Sequence, residues 1–275
     1  MNPIKEDGNF YGRRKNEAMK RHYCTFCGKK ADERTMSLVG SRLLKKEGWI
    51  CKEHLSAGAD IFEVRESGTK PVFLELFSGS GHVAAAARCA GFEAWTVDNE
   101  QKFNPDICID VCNLRRSALP ENVHVVWASI PCTTYSKLML EKHWEKICIG
   151  YRRYYYLPRS PRGIEALRIL AATIKLIVKL KPTYFFLENP VGAFRHMPHL
   201  YFIPYRHTVS YLDYGFEYLK PTDIFTNNPY FKPKPFTMPN VPPVSSLLAQ
   251  PNAHTRSLIP PGLITEMIDS IRHLV

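Results

Sequence analysis

An α/β core built on a parallel sheet, preceded by a small cysteine- and histidine-bearing module, is the architecture the sequence predicts. Two observations predict the core. From Pro71 onward short apolar strands alternate with helical patterns, the signature of βαβ units. Polar and glycine residues gather just beyond the carboxyl ends of those strands, where open α/β sheets bind ligands. A third observation predicts the module: Cys24-x-x-Cys27 and Cys51-x-x-His54 precede the first strand. A chain of 275 residues is long enough for one such core with an appendage and too short for two ordinary large domains.

In chain order, residues 1–22 form a basic arm in which Arg13, Arg14, Lys15, Lys20 and Arg21 crowd together without apolar periodicity. Residues 23–68 form the module. Its two ligand pairs, Cys24 with Cys27 and Cys51 with His54, suit one tetrahedral structural Zn2+, and chance would rarely produce both knuckles. Cys89, Cys108, Cys112 and Cys148 lack such pairing and read as packing residues.

The core, 69–275, opens with a strand at 72–76, a turn at Gly79 to Gly81 and an alanine-rich helix at 83–90. A second strand at 93–97 ends at Asp98, a third at 107–109 ends at Asp110, and a fourth at 123–129 runs into Pro131 and Cys132. Leu167, Leu170, Ile174, Ile177 and Val178 set a helical period over 164–180, and a strand at 183–187 then leads into Glu188 and Asn189. Beyond 226 Pro, Asn and Lys accumulate, so irregular structure is expected until a last helix at 261–274.

Composition narrows the partners. Even the apolar run from Leu170 to Val178 is broken by Lys175, so no membrane span is expected, and residues 1–20 lack a signal-peptide h-region. A cytoplasmic setting follows as the expectation, in which eight cysteines serve as ligands, nucleophiles or packing residues and not as disulfides. A formal charge of +11 favours a polyanion, with nucleic acid ahead of an anionic membrane surface. A monomer is expected.

Each candidate site residue has a plain structural reading beside the chemical one. Phe77-Ser-Gly-Ser-Gly81 follows a strand and opens a helix, so its amides could face a ligand, or it could be a tight turn and nothing more. Asp98 sits where an acid can hold ribose hydroxyls, yet a turn aspartate would look the same, as would Asp110. Cys132 lies on a loop just past a strand, the position of an exposed nucleophile or of a buried free thiol. Glu188 at a later strand end could stand beside it or form a structural ion pair.

Taken in order, Phe77-x-Gly-x-Gly81, Asp98, Asp110, Pro131-Cys132 and Glu188-Asn189 resemble the motif series of the DNA cytosine-5 methyltransferase family, in a short, phage-like form, over about 72–268. The resemblance implies a Rossmann-like S-adenosylmethionine-dependent methyltransferase domain. It implies that Phe77, Ser78, Gly79, Gly81 and Pro131 line the cofactor pocket, that Asp98 holds the ribose and that Asp110 reads the adenine. Cys132 would attack carbon 6 of cytosine in double-stranded DNA, and Glu188 would stabilise the charge at ring nitrogen 3. The basic and aromatic stretch after Cys132, with Lys137, Arg152, Arg153, Arg159 and Arg162 as phosphate contacts, would be a mobile loop closing on the duplex. The plain alternative is a partly buried aromatic helix with a solvated charged face.

Two departures stand out. The family segment with a glutamine and two spaced arginines corresponds to Tyr218, Lys220 and Thr222, so Lys220 keeps a charge but loses the bidentate fork. The terminal Gly-Asn segment is missing, leaving one cofactor wall open or built otherwise. Competing readings are a transfer-RNA cytosine-5 methyltransferase and a catalytically decayed zinc-containing nucleic-acid-binding protein. The region about 226–255 would be the target-recognition element. With Asn227, Asn228, Lys232, Lys234, Asn240, Gln250 and Asn252 as its contacts, it suits a short or degenerate site.

Overall fold

The structure, a computed structural model, describes residues 70–150, 153–237 and 257–275, together with the backbone of four short strands before them. Those strands form two antiparallel pairs, β1 (Arg21–Tyr23) with β2 (Lys30–Asp32) and β3 (Met36–Val39) with β4 (Gly48–Cys51). Cys24, Cys27 and His54 lie outside the described residues, as does the side chain of Cys51.

The core is a seven-stranded sheet. Its members are β5 (Val72–Leu76), β6 (Glu93–Asp98), β7 (Ile107–Cys108), β8 (Val123–Ser129), β11 (Tyr184–Pro190), β12 (Tyr205–Ser210) and β13 (Pro221–Thr226). Their order is β12-β13-β11-β8-β5-β6-β7. Every neighbouring pair is parallel except the two that involve β13. The order reverses direction at β5 and β8, and such a switch leaves a crevice at the carboxyl ends of the two central strands.

Side-chain alternation splits the core into two layers. Leu74, Leu76, Val126, Ala128 and Leu187 face one side, where Ala166, Leu170, Leu176 and Ile177 of a helix at Pro161–Leu180 cover them. Phe73, Val125, Trp127 and Phe186 face the other, under Val83, Ala84 and Ala87 of the helix His82–Cys89 and Leu263, Ile264, Met267 and Ile268 of the helix Pro261–Ile271. Because both faces are buried, these strands are almost wholly apolar instead of alternating with polar residues. The helix at Pro161–Leu180 starts where Ser160 Oγ accepts from the Gly163 amide at 3.1 Å and Pro161 takes the first turn. That signal lies three residues ahead of the expected start.

Three features depart from expectation. The stretch after Cys132 is not one loop or one aromatic helix: short helical turns at Lys137–Met139 and Leu140–His143 lead into a hairpin. The hairpin is antiparallel, β9 (Trp144–Gly150) with β10 (Arg153–Pro158). Its aromatic and β-branched residues suit a pleated surface, and Trp144 anchors it by stacking on Tyr135 at 5.1 Å. β12 and β13 were not anticipated as strands; a short reversal at Tyr211–Tyr214 and the left-handed Gly215 joins them, which only antiparallel neighbours allow. Asn227 and Asn228, expected as base contacts, are structural. Asn227 accepts from the Phe185 amide and donates to Thr183, and Asn228 is buried against Ser270. They sit at the amino end of β11, away from Glu188, because β13 runs antiparallel and carries the chain to that end of the sheet.

Candidate active site

The glycine loop follows β5 and takes left-handed geometry at Phe77, Gly79 and Gly81 (φ 56°, 48° and 69°). At Phe77 that geometry costs about 1–3 kcal/mol, offset here by packing of the half-buried ring on the core. Several amides of the loop and of the helix start turn inward. Gly79 N donates to Asp98 Oδ2 at 2.8 Å, Gly81 N to the Ser78 carbonyl, and Ala84 N to the buried Glu75 carboxylate at 2.7 Å. Two carboxylates from adjacent strands thus take one amide of the loop and one of the first helical turn. Burial pushes Glu75 up to about 8, against the pull of the Ala84 amide and the Arg88 charge.

What remains open is different. Ser78 Oγ is buried without a hydrogen-bond partner, and a Cβ at Gly79 would meet nothing within 4 Å. Asp98 also accepts from Glu100 N at 2.9 Å, so it shapes the loop while its remaining lone pairs stay available. Asp110 caps a short helical turn by accepting from Cys112 N at 2.8 Å and lies 3.8 Å from Arg168. The segment ahead of the last helix reaches back to the start of the helix that follows the glycine loop. His82 Nε2 accepts from Ile259 N at 3.0 Å, while His82 Nδ1 meets Ser80 Oγ at 2.9 Å.

The loop carrying Cys132 and the strand end carrying Glu188 are brought together. Glu188 is in register with Ser129 across the parallel β8–β11 pair. Asn189 Nδ2 donates to the Ile130 carbonyl at 2.7 Å, and Ala193 N donates to the Tyr135 carbonyl at 2.8 Å. Gly192 pairs with Ser136 so closely that a Cβ there would collide with the Tyr135 carbonyl. Cys132 is half-buried at the head of a tight turn, its carbonyl accepting from Tyr135 N and Ser136 N, and Pro131 is exposed beside it. Thr134 Oγ1 and Asn189 Oδ1 are buried without partners. Unsatisfied polar atoms are rare in protein interiors; Ser78 Oγ and Asn189 Oδ1 lie in the motif segments and Thr134 Oγ1 two residues past Cys132, whereas His199 Nδ1 and His207 Nε2 lie elsewhere.

Glu188 itself is almost wholly buried, and burial pushes its carboxyl upward against the opposing Lys220 charge and hydrogen bonds from Tyr211 and Ser129. Lys220 Nζ lies 4.3 Å from the centre of the Tyr211 ring. Thr222, in place of the second arginine, is fully buried and bonds the Lys220 carbonyl at 3.3 Å.

Of the expected phosphate contacts, Lys137, Arg159 and Arg162 are exposed; Arg152 and the side chain of Arg153 lie outside the described residues. Sequence reasoning missed Glu75, Ser129 and Tyr211. The first could have been found from an acid inside an apolar strand, and the last from nothing local, since its partner is 23 residues away.

No family model matches the chain. A protein of frog virus 3 (isolate Goorha) named "Probable DNA (cytosine-5)-methyltransferase" is 31% identical over 171 residues, spanning 58% of this chain and 72% of that protein. Among solved structures, a candidate DNA modification methyltransferase encoded within an E. coli prophage matches at 16% identity and TM-score 0.39. That match covers 62% of this chain and 56% of its own length. A candidate RNA methyltransferase from Pyrococcus horikoshii matches at 14% and TM-score 0.32, over 63% of this chain and 78% of its own.

Proposed function

The chain belongs to the DNA (cytosine-5)-methyltransferase family, and from that premise we propose that it transfers a methyl group from S-adenosylmethionine to carbon 5 of cytosine in DNA through a covalent bond to Cys132. The observation that carries this reading is the stitching of the Cys132 loop to the Glu188 strand end by Asn189, Gly192 and Ala193. A nucleophile and a buried acid are thereby held on one rigid frame.

The residues fit the cofactor. Ser78 Oγ lacks a partner, Gly79 leaves open space, and Asp98 retains acceptor capacity where ribose hydroxyls would lie. When bound, S-adenosylmethionine supplies an electrophilic methyl group. Asp110 and Phe77 are assigned to the adenine side of the same pocket.

Cys132 acts first. Carbon 5 of cytosine is a poor nucleophile until the thiolate adds to carbon 6 and converts the ring into an enamine. Glu188, whose burial favours the protonated carboxyl, donates to ring nitrogen 3 and stabilises the charge that develops there. Methyl transfer to carbon 5, loss of the carbon 5 proton and expulsion of the Cys132 thiolate then restore the aromatic ring. Lys220 holds positive charge beside Glu188 and the base. Lys137, Arg159 and Arg162, with Arg152 and Arg153, are assigned to the phosphate backbone, and Cys24, Cys27, Cys51 and His54 to one structural Zn2+.

Labelled S-adenosylmethionine, offered with duplex DNA and transfer RNA and followed by digestion to nucleosides, tests this directly. The expected label is 5-methylcytosine from DNA, with a covalent adduct on 5-fluorocytosine DNA that Cys132→Ser does not form. Label only in RNA, only on an exocyclic nitrogen, or transfer without an adduct would overturn it.

A further inference from the structure

Glu188 receives hydroxyl donors from two elements that flank its strand. On one side stands Ser129, its register partner on β8. Ser129 Oγ accepts from the indole Nε1 of the fully buried Trp127 at 2.9 Å. An indole nitrogen only donates, so that bond occupies an acceptor site on the hydroxyl and leaves its single proton for another partner. The Glu188 carboxyl, in register beside Ser129 on the neighbouring strand, is the acceptor toward which that proton can turn. On the other side the Tyr211 hydroxyl donates to Glu188 Oε1 at 3.1 Å. Tyr211 is itself fully buried, stacks edge-on with Phe216 at 5.5 Å and lies under Lys220 Nζ.

We propose that Ser129 and Tyr211 are positioning residues that fix the orientation and protonation of the Glu188 carboxyl. The chain of donors runs from Trp127 through Ser129 into the carboxylate and meets Tyr211 from the opposite side. With Oε1 taken by Tyr211, the carboxyl cannot rotate freely, and a proton it carries is directed from Oε2. The groups that act on Glu188 are the Lys220 charge, the Tyr211 hydroxyl and the Ser129 hydroxyl. Tyr218 and the Thr222 hydroxyl act in turn on Tyr211. Hydrogen bonds and positive charge favour the carboxylate, burial favours the acid, and burial prevails. Each donor removed therefore leaves the acid form more favoured and less oriented.

This inference rests on the assignment of Glu188 as the acid at ring nitrogen 3, and its test separates the two. Tyr211→Phe keeps the ring under Lys220 and removes only the donor. Ser129→Ala removes the other donor and guards against a folding failure of the first variant. The Glu188 carboxyl band is followed by infrared titration of the free protein, assigned by its loss in Glu188→Gln, beside kcat and KM against pH on duplex DNA. Each variant should raise the titration midpoint and the alkaline limb of kcat by about one pH unit, the size expected for one hydrogen bond to a charged group. At the wild-type optimum kcat should fall roughly tenfold, through the looser carboxyl, with KM for DNA little changed. An unmoved band, or a lower kcat with an unaltered pH profile, would overturn the positioning role. Wild type that methylates no nucleic acid, while the variants still shift the band, would instead overturn the assigned reaction.

Discussion

The side-chain amide of Asn189 donates to the carbonyl oxygen of Ile130 at 2.7 Å, so the strand bearing Glu188 grips the loop bearing Cys132 two residues ahead of the thiol. Asn189 is fully buried, and Asn189→Ala would leave that carbonyl without its donor in an apolar setting. The expected cost is about 1–3 kcal/mol of stability, the range for a buried polar group that loses its partner. Adduct formation on 5-fluorocytosine DNA should slow as well, because the nucleophile and the acid lose their common anchor. Urea unfolding and trapping kinetics measure the two effects, and a variant as stable and as fast as wild type would show that the contact is incidental.

Glu75 predicts a pH dependence of stability that does not involve the chemistry. Burial is the largest cause of its rise from 4.5 to about 8. Between those values the folded state holds a proton that the unfolded state has released, so stability falls as pH rises through the window, by up to about 1.4 kcal/mol per unit. The Glu75→Gln substitution keeps an acceptor for the Ala84 amide and removes the titration. Denaturant midpoints of the variant and wild type should be similar near pH 4 and diverge in favour of the variant toward pH 8. Parallel curves would show that Glu75 is ionised in the folded protein.

The strands β5, β6, β8 and β11 were legible because a strand buried on both faces reads as a short apolar run, and because polar residues punctuate its end. The hairpin Trp144–Pro158 was not, since its cations masked the β-forming aromatics between them. β12 and β13 were hidden for another reason. Arg206, Thr208 and Asp223 are polar within strands, and Asp223 is tolerable there because Arg195 binds it at 2.7 and 2.8 Å from another segment and Thr208 Oγ1 donates to it at 2.7 Å. Motif order singled out Cys132 and Glu188 as candidates, whereas Ser129 and Tyr211, proposed as positioning residues, come beside Glu188 only through geometry that spans the sheet.

The two cysteine and histidine pairs predict a metal content that can be measured whatever the catalytic role. One zinc per chain should be found by elemental analysis and lost in the double substitution Cys24→Ser with Cys27→Ser. Removing residues 1–65 should weaken DNA binding and flatten its salt dependence, because the basic arm goes with the module, while slow methylation survives. Protein purified without chelators that contains no zinc would end the assignment.

The last prediction concerns target specificity, and the structure sharpens its premise. Asn227 and Asn228 are committed to Phe185, Thr183 and Ser270, and Lys234 Nζ lies 3.4 Å from the Asp213 carbonyl. Of the side chains first considered as base readers, Lys232 remains exposed, and Asn240, Gln250 and Asn252 lie outside the described residues. Each bidentate contact to a base edge supplies about 1–3 kcal/mol of discrimination. So few readers support a context of roughly two to four base pairs around the cytosine by the same measure. The exposed cations Lys137, Arg159 and Arg162, assigned above to phosphates, should add affinity without sequence information, since phosphate contacts are common to all sites. Methylation should therefore appear at many positions of a plasmid, with a shared short context, and charge removal at Arg159 and Arg162 should lower it at all of them alike. Bisulfite sequencing reads both effects, and modification confined to a single long site would require a base-reading element beyond those named here.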